Sequence, residues 1–549
     1  MKKFTKAALA AVLALGVAGC SSSTSGSTTT EGGSQTLTVG LSGIKGTFNP
    51  MVSDTVYDNY VCNLVFEALL DIDQSGTYTC WLAESYELSE DNLTYTFTLP
   101  ENATFSDGTQ VKASDVAFTY NITKEDDYAG PRSSVGAHIA SIDVIDDTHV
   151  AFTMTEASPS NLSYFTYGIC SEEYYAHDSF EELTALNDKP MGSGKFVLTG
   201  YANKQYVNLE RNENYWNTEK AAQIEGVDLV EISEDTILSA LQAGEIDVCM
   251  PSAKAENVET IESMDNVSLH SYLGNGYTFM CFNTTIPQLN DVKCRQALMY
   301  ALDRVNFLTA EYGSDQLVSL GMAPISPVSW AFPTEGLNDY AYDLDKANAL
   351  LDEAGWTNYT TETADDGSTI EVRTNADGVT MDLDWLVYTD STWPGTLSSM
   401  AFDSWKQIGV NLHIKQYDFA TVSSLVMEGD PAERDFSIYT MGFSLGADPD
   451  PTGGLFDYDA YCDGGFNASG YYNERAQELI QLGKSTFDQD ERAAYYQEWA
   501  TLMNEMVPKA IVAYRSEIWG INNRVHGFDE INSYCDFTDP DIIANITLD

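Results

Sequence analysis

Apolar and polar residues alternate without a break over Leu93-Thr94-Tyr95-Thr96-Phe97-Thr98-Leu99, which predicts a half-buried strand stopped by Pro100. Further strands are read at residues 37–41, 276–283, 410–416 and 436–441, and two closing strands at 510–514 and 518–521. Residues 144–154 read as a hairpin turned at Asp146-Asp147, and 196–198 with 206–209 as another. Apolar residues recur at helical spacing over 60–70 (Leu64, Val65, Ala68, Leu69), and after Ser114 through Val116, Phe118 and Tyr120. More helices are read at 236–244, closed by Gly244, and at 292–308, 343–355, 396–408, 421–427 and 492–506. Residues 357–387 hold Asp-Gly turns at Asp366 and Asp377 and read as a hairpin insertion. Helices and strands mix without strict alternation and no internal repeat is found, so the chain is an α/β or α+β protein of several domains.

The N-terminus breaks this pattern. Residues 1–6 are basic, 7–18 are apolar but too few to span a bilayer, and Gly19-Cys20 follows, the three-part arrangement of a secretory signal. Val17-Ala18-Gly19-Cys20 resembles a bacterial lipobox, whose Cys becomes a diacylated N-terminus. Residues 21–33, a Ser/Thr/Gly tract without an apolar side chain, read as a flexible tether between that anchor and a folded body.

Composition narrows the choices. Residues 35–549 exceed one simple core, so two or three domains are expected. A hydrophobic fraction of 43% with 12% aromatics supports globular folding. The formal charge of −56 argues against nucleic acid and anionic lipid as partners; it reads chiefly as a solubilising surface and secondarily favours ligands with positive charge. Besides Cys20 the cysteines are Cys62, Cys80, Cys170, Cys249, Cys281, Cys294, Cys462 and Cys535. Their even number permits disulfides in an exported protein, but the wide spacing and apolar neighbours suit buried free thiols equally well, and no zinc cluster is indicated.

Seven blocks, in order along nearly all of the mature chain, resemble one family. They include Phe105-Ser106-Asp107-Gly108 through Asp115-Val116; Met191-Gly192-Ser193-Gly194-Lys195-Phe196 with Leu209-Glu210-Arg211-Asn212 and Tyr215-Trp216; Asp291 through Arg295-Gln296-Ala297 to Asp303-Arg304; and Asp448-Pro449-Asp450-Pro451. Together they are similar to the extracellular solute-binding proteins, family five, of peptide and nickel ABC importers. The motif residues themselves read as scaffold: Arg295 and Arg304 to fix loops by ion pairs, Gly192 and Gly194 to permit tight backbone.

The resemblance implies an α/β, two-lobed periplasmic-binding-protein-like (type II) fold with an additional inserted domain. After a signal peptide at 1–19 and a tether at 20–34, the first lobe would comprise 35–79, 191–273 and 510–549, the inserted domain 80–190, and the second lobe 274–509. The lobes would close on a ligand like a hinge. The function implied is that of a monomeric lipoprotein, lipid-anchored at Cys20 to the outer face of the bacterial cytoplasmic membrane, that captures short peptides and delivers them to a permease, without catalysis or cofactor. The same fold could instead hold a nickel chelate, haem or an oligosaccharide.

A sequestered peptide needs partners for its amine, its carboxylate and its backbone. The family's pattern places backbone pairing at Gly442, Phe443 and Ser444 and an amine-binding Asp at Asp448, with Asp450 competing because the segment carries an extra residue. Tyr277 and Trp393 are expected pocket walls, Trp393 in a loop before Pro394-Gly395, and Phe48 and Asn49 follow the first strand where the first lobe would meet ligand. Trp385 reads as core. Gly442-Phe443-Ser444-Leu445-Gly446 also matches the serine nucleophile elbow, making an exported esterase a distant alternative; the prolines that follow forbid the helix an elbow requires.

Overall fold

The computed structural model describes residues 34–549. The expected signal sequence, Cys20 and the expected tether to residue 33 lie outside the described residues.

A twelve-stranded sheet runs through the molecule. From one edge its order is Asn411–Tyr417, Asp382–Tyr388, Ile438–Ser444, Gly276–Phe282, Lys509–Asn522, Val248–Cys249, Thr36–Leu41, Gly226–Glu231, Tyr206–Arg211 and Phe196–Ala202. Val267–Leu273 and Val318–Leu320 also pair with Lys509–Asn522. That strand, 14 residues long, joins the two halves of the sheet. Its first part pairs with Gly276–Phe282, its last part with Val267–Leu273 and Val248–Cys249. A second crossing is made by Gly274-Asn275 between Val267–Leu273 and Gly276–Phe282, and the Gly274 amide donates to the Arg515 carbonyl at 2.9 Å. The crossing is close: a Cβ at Gly276 would stand 2.7 Å from the Phe443 carbonyl oxygen.

Three main apolar cores follow from this layout. One holds residues 277–514, including Trp385 stacked on Trp405 with ring centroids 5.5 Å apart. A second gathers Leu37 through Phe66, Phe196 through Leu229 and Trp519 through Leu548. The third lies under an antiparallel sheet of Ser85–Leu88, Thr94–Thr98, His149–Met154 and Ile139–Val144. All eight cysteines of the described residues are free, six of them buried.

Several elements differ from their sequence reading. The two closing strands are one, because Arg515, Ser516 and Glu517, which interrupt the apolar pattern, keep backbone pairing with Val318, Leu273 and Tyr272 and line the space between the halves. The helix expected over 292–308 is two, Val292–Tyr300 and Arg304–Tyr312, since the Asp303 carboxylate accepts the Asn306 amide at 3.0 Å and starts a new helix. The 60–70 helix begins earlier, at Val56 behind a Thr55 cap, and ends at Val65. The Asp366 turn closes a true hairpin, Asn358–Thr363 with Thr369–Thr374, but Asp382–Tyr388 leaves it for the main sheet. Trp393 is not in a loop: it opens the helix Trp393–Trp405, where the missing N–H of Pro394 costs nothing. Arg295 and Arg304 fix loops through carbonyl oxygens rather than ion pairs; Arg295 donates to Met506, Val507, Leu289 and Asn290, Arg304 to Gly321, Ile511 and Asp339. Burial lowers both guanidinium groups to about 10. Gly194 is required by close packing, a Cβ there falling 2.6 Å from the Leu64 carbonyl.

Candidate functional site

Where the halves of the sheet face each other lies a cavity of about 670 Å³. Tyr57, Glu234 and residues 250–254 line one side, and Glu311, Tyr312, 390–393 and Gly442–Ser444 the other. The crossing segments supply Gly274, Asn275 and Gly276 and Arg515, Ser516 and Glu517. Lys254 reaches across to Thr392, Nζ to Oγ1 at 3.4 Å. A neighbouring cavity of about 300 Å³ is lined by Leu445, Asp448, Asp450, Phe456, Phe466 and Trp499. Tyr277, Phe443 and Ser444 border both spaces, and the Tyr277 and Phe443 rings lie 6.1 Å apart at 34°.

The strand Ile438–Ser444 owes its position to antiparallel pairing with Gly276–Phe282 along its whole length. On its other edge Asp382–Tyr388 pairs only with Ile438 and Tyr439. Beyond Tyr439, that edge has no strand partner among the described residues, so Gly442, Phe443 and Ser444 present backbone at the cavity wall. An extended chain laid along it would satisfy its own amides and carbonyls by strand addition.

The two candidate carboxylates differ sharply. Asp448 is taken: Arg492 donates to both of its oxygens at 2.9 Å, with the two side chains 5% and 12% exposed. Burial alone would lower the Arg492 guanidinium; the hydrogen bonds and charge of Asp448 outweigh it and leave it raised. Asp450 has no cation paired to it among the described residues. It accepts from the Thr452 amide and hydroxyl at 3.0 and 2.6 Å and from Ser160 at 3.0 Å. Burial, and then the charge of Asp448, hold its carboxyl above the usual range against those bonds. Ser160 also accepts from Arg492 at 3.1 Å, and Lys484 meets Glu156 at 2.5 Å, so residues 156–160 bridge onto the opposite half of the molecule.

Of the remaining expected residues, Tyr277 and Trp393 reach the cavity, Trp393 with its indole N–H donating to the Tyr388 hydroxyl at 2.9 Å. Phe48 and Asn49 do not. Both are fully buried, Phe48 edge-on to Tyr201 and Asn49 accepting the Met51 amide with its side chain. Ser444 ends its strand and no helix follows before residue 458, so the elbow geometry is absent. The sequence reading missed Arg515, Tyr312, Lys254 and Arg492. A signal existed for the first: a charged residue set between two apolar strand segments.

Residues 77–465 match the family model described as bacterial extracellular solute-binding proteins, family 5 middle. The oligopeptide-binding protein AppA of Bacillus subtilis (strain 168) is 26% identical over 543 residues, 94% of each chain. Its structure in complex with a nonapeptide superposes with a TM-score of 0.75 at 23% identity, covering 93% of this chain and 98% of that one. The ABC transporter substrate-binding protein CtaP of Listeria monocytogenes gives a TM-score of 0.80 at 24% identity, over 94% and 99%. NikZ of Campylobacter jejuni, solved with Ni(L-His), gives 0.76 at 20% identity, over 94% and 100%.

Proposed function

Because this chain belongs to the bacterial extracellular solute-binding proteins of family 5, a family of transport proteins with the type II periplasmic-binding fold, we propose that it captures short peptides between two closing lobes and releases them unaltered to a membrane permease. The observation that carries this reading is the unpaired backbone edge after Tyr439 on the wall of the large cavity. A peptide is the solute whose own backbone needs such an edge. The proposed lobes, 35–79 with 191–273 and 510–549 and then 274–509, with 80–190 inserted, match the three cores in outline only: residues 510–514 pack in the core of the second lobe, Leu69 and Leu70 in that of the inserted domain, and Cys170, Tyr175 and Leu183 in that of the first. In this reading Asp450 meets the peptide amine, since Asp448 already neutralises Arg492, and Cys20 carries the lipid that keeps the protein at the outer face of the cytoplasmic membrane.

Thermal melting of the intact protein against di- to pentapeptides, nickel–histidine, haem and oligosaccharides tests it. A ligand bound only by the folded form raises the melting temperature with its concentration. Peptides are expected to do so and to be recovered intact. A shift with one of the other solutes and none with peptides would remove the peptide assignment, and hydrolysis of the bound compound would remove the transport assignment.

A further inference from the structure

The large cavity contains one guanidinium, Arg515, at the point where the two crossing segments touch. Among the described residues, Arg515 makes no ion pair, and its guanidinium lines the cavity between the two halves of the sheet with the Tyr312 hydroxyl beside it. The carboxylates around the cavity are committed elsewhere. Glu311 accepts from Thr396 at 2.7 Å, Glu234 from the Ser252 amide at 2.7 Å, Asp390 from the Phe419 amide at 2.7 Å, and Glu517 from the Tyr272 hydroxyl at 2.8 Å.

A second observation points to the same place. The Tyr312 side chain, on the cavity wall, is 6% exposed, and among the described residues its hydroxyl proton finds no acceptor, its hydrogen-bonding neighbour being the Arg515 guanidinium. Burial pushes this phenol up to about 12, with the charge of Arg515 pulling it back, so it stays a donor and the guanidinium is close by. A buried hydroxyl left without an acceptor is costly, and natural structures rarely leave one so. A forked cation and a hydroxyl donor side by side match a planar anion with two oxygens.

We propose that Arg515 and Tyr312 are the carboxylate-recognition point of the cleft and anchor the solute by its terminal carboxylate. This rests on the peptide reading above and deepens it: the free C-terminus would sit at the crossing strands, with the chain running from there along the edge at Gly442 to Ser444 towards Asp450.

Calorimetric titration of the full chain with peptides in free-acid and C-terminally amidated form tests it. Wild type is expected to favour the acid about tenfold or more. Arg515→Gln should weaken the acid by about ten- to a hundredfold and leave the amide unchanged, so that the two converge; Tyr312→Phe should move the same way by less. Arg515→Lys should recover part of the preference. Equal loss for acid and amide in Arg515→Gln, or an acid preference that survives it, overturns the inference. Peptides bound regardless of amidation sink Arg515 and leave the peptide reading standing. Non-peptide carboxylic acids bound through Arg515, with peptides ignored, do the reverse.

Discussion

Asp448 and Asp450 stand two positions apart and do different work. Asp448 holds Arg492 in a pair almost without solvent, and removing one partner of such a pair leaves a buried charge. Asp448→Ala is therefore expected to cost stability, about 3 kcal/mol in denaturant unfolding, whereas Asp450→Asn should leave the midpoint nearly unchanged and weaken peptide binding. A smaller cavity of about 290 Å³, lined by Glu67, Asp71, Asp536 and Asp539, adds a pH dependence. Burial, then Asp539, raises Asp71 to about 7. Its folded value lies above its unfolded one, so its contribution is fully present below the ordinary Asp range and is lost as pH climbs to 7, by about 1.4 kcal/mol per pH unit. Asp71→Asn should melt with wild type near pH 4 and above it at pH 8, as scanning calorimetry across that interval would reveal.

Among elements, the strand Ile438–Ser444 carries the proposed site because one of its edges is left open past Tyr439. Ligands methylated on successive backbone nitrogens should lose about 1 kcal/mol in affinity at each position that donates to this edge, a periodic loss that a series of N-methyl peptides would map. A flat series would mean that side chains alone hold the ligand. This strand was legible in sequence only to Met441, since Gly442 and Ser444 give no apolar signal, while the alternation at Thr94–Thr98 and the Gly244 helix end were readable because local chemistry decides them. The crossing strand read as two for the opposite reason: Arg515 to Glu517 answer to the space between the halves, which no local pattern encodes. The same holds for Asp448, whose partner lies 44 positions away. Position after the first strand suggests a ligand role for Phe48 and Asn49, but Phe48 packs on Tyr201 and donates its amide to the Asn187 carbonyl, which holds the pair inside.

At the scale of the molecule, the halves are joined by the crossing strands, and farther out they meet through the bridge from Ser160 and Glu156 to Asp450, Arg492 and Lys484, as they do where Lys254 reaches Thr392. The bridge is built of polar groups that water can replace, so it suits a contact made and broken with each capture. The strand Lys509–Asn522 is different in kind. Its backbone ladder is shared by both halves, and neither can lose it without stripping bonds from the other. Melting should consequently be cooperative across the chain, a single calorimetric peak whose van't Hoff and measured enthalpies agree, with no stage at which one half survives alone. In the proposed cycle of opening and closing, that continuity means that gaping does not begin unravelling: the ribbon flexes, and neither side is left exposed to proteases as a half-folded remnant.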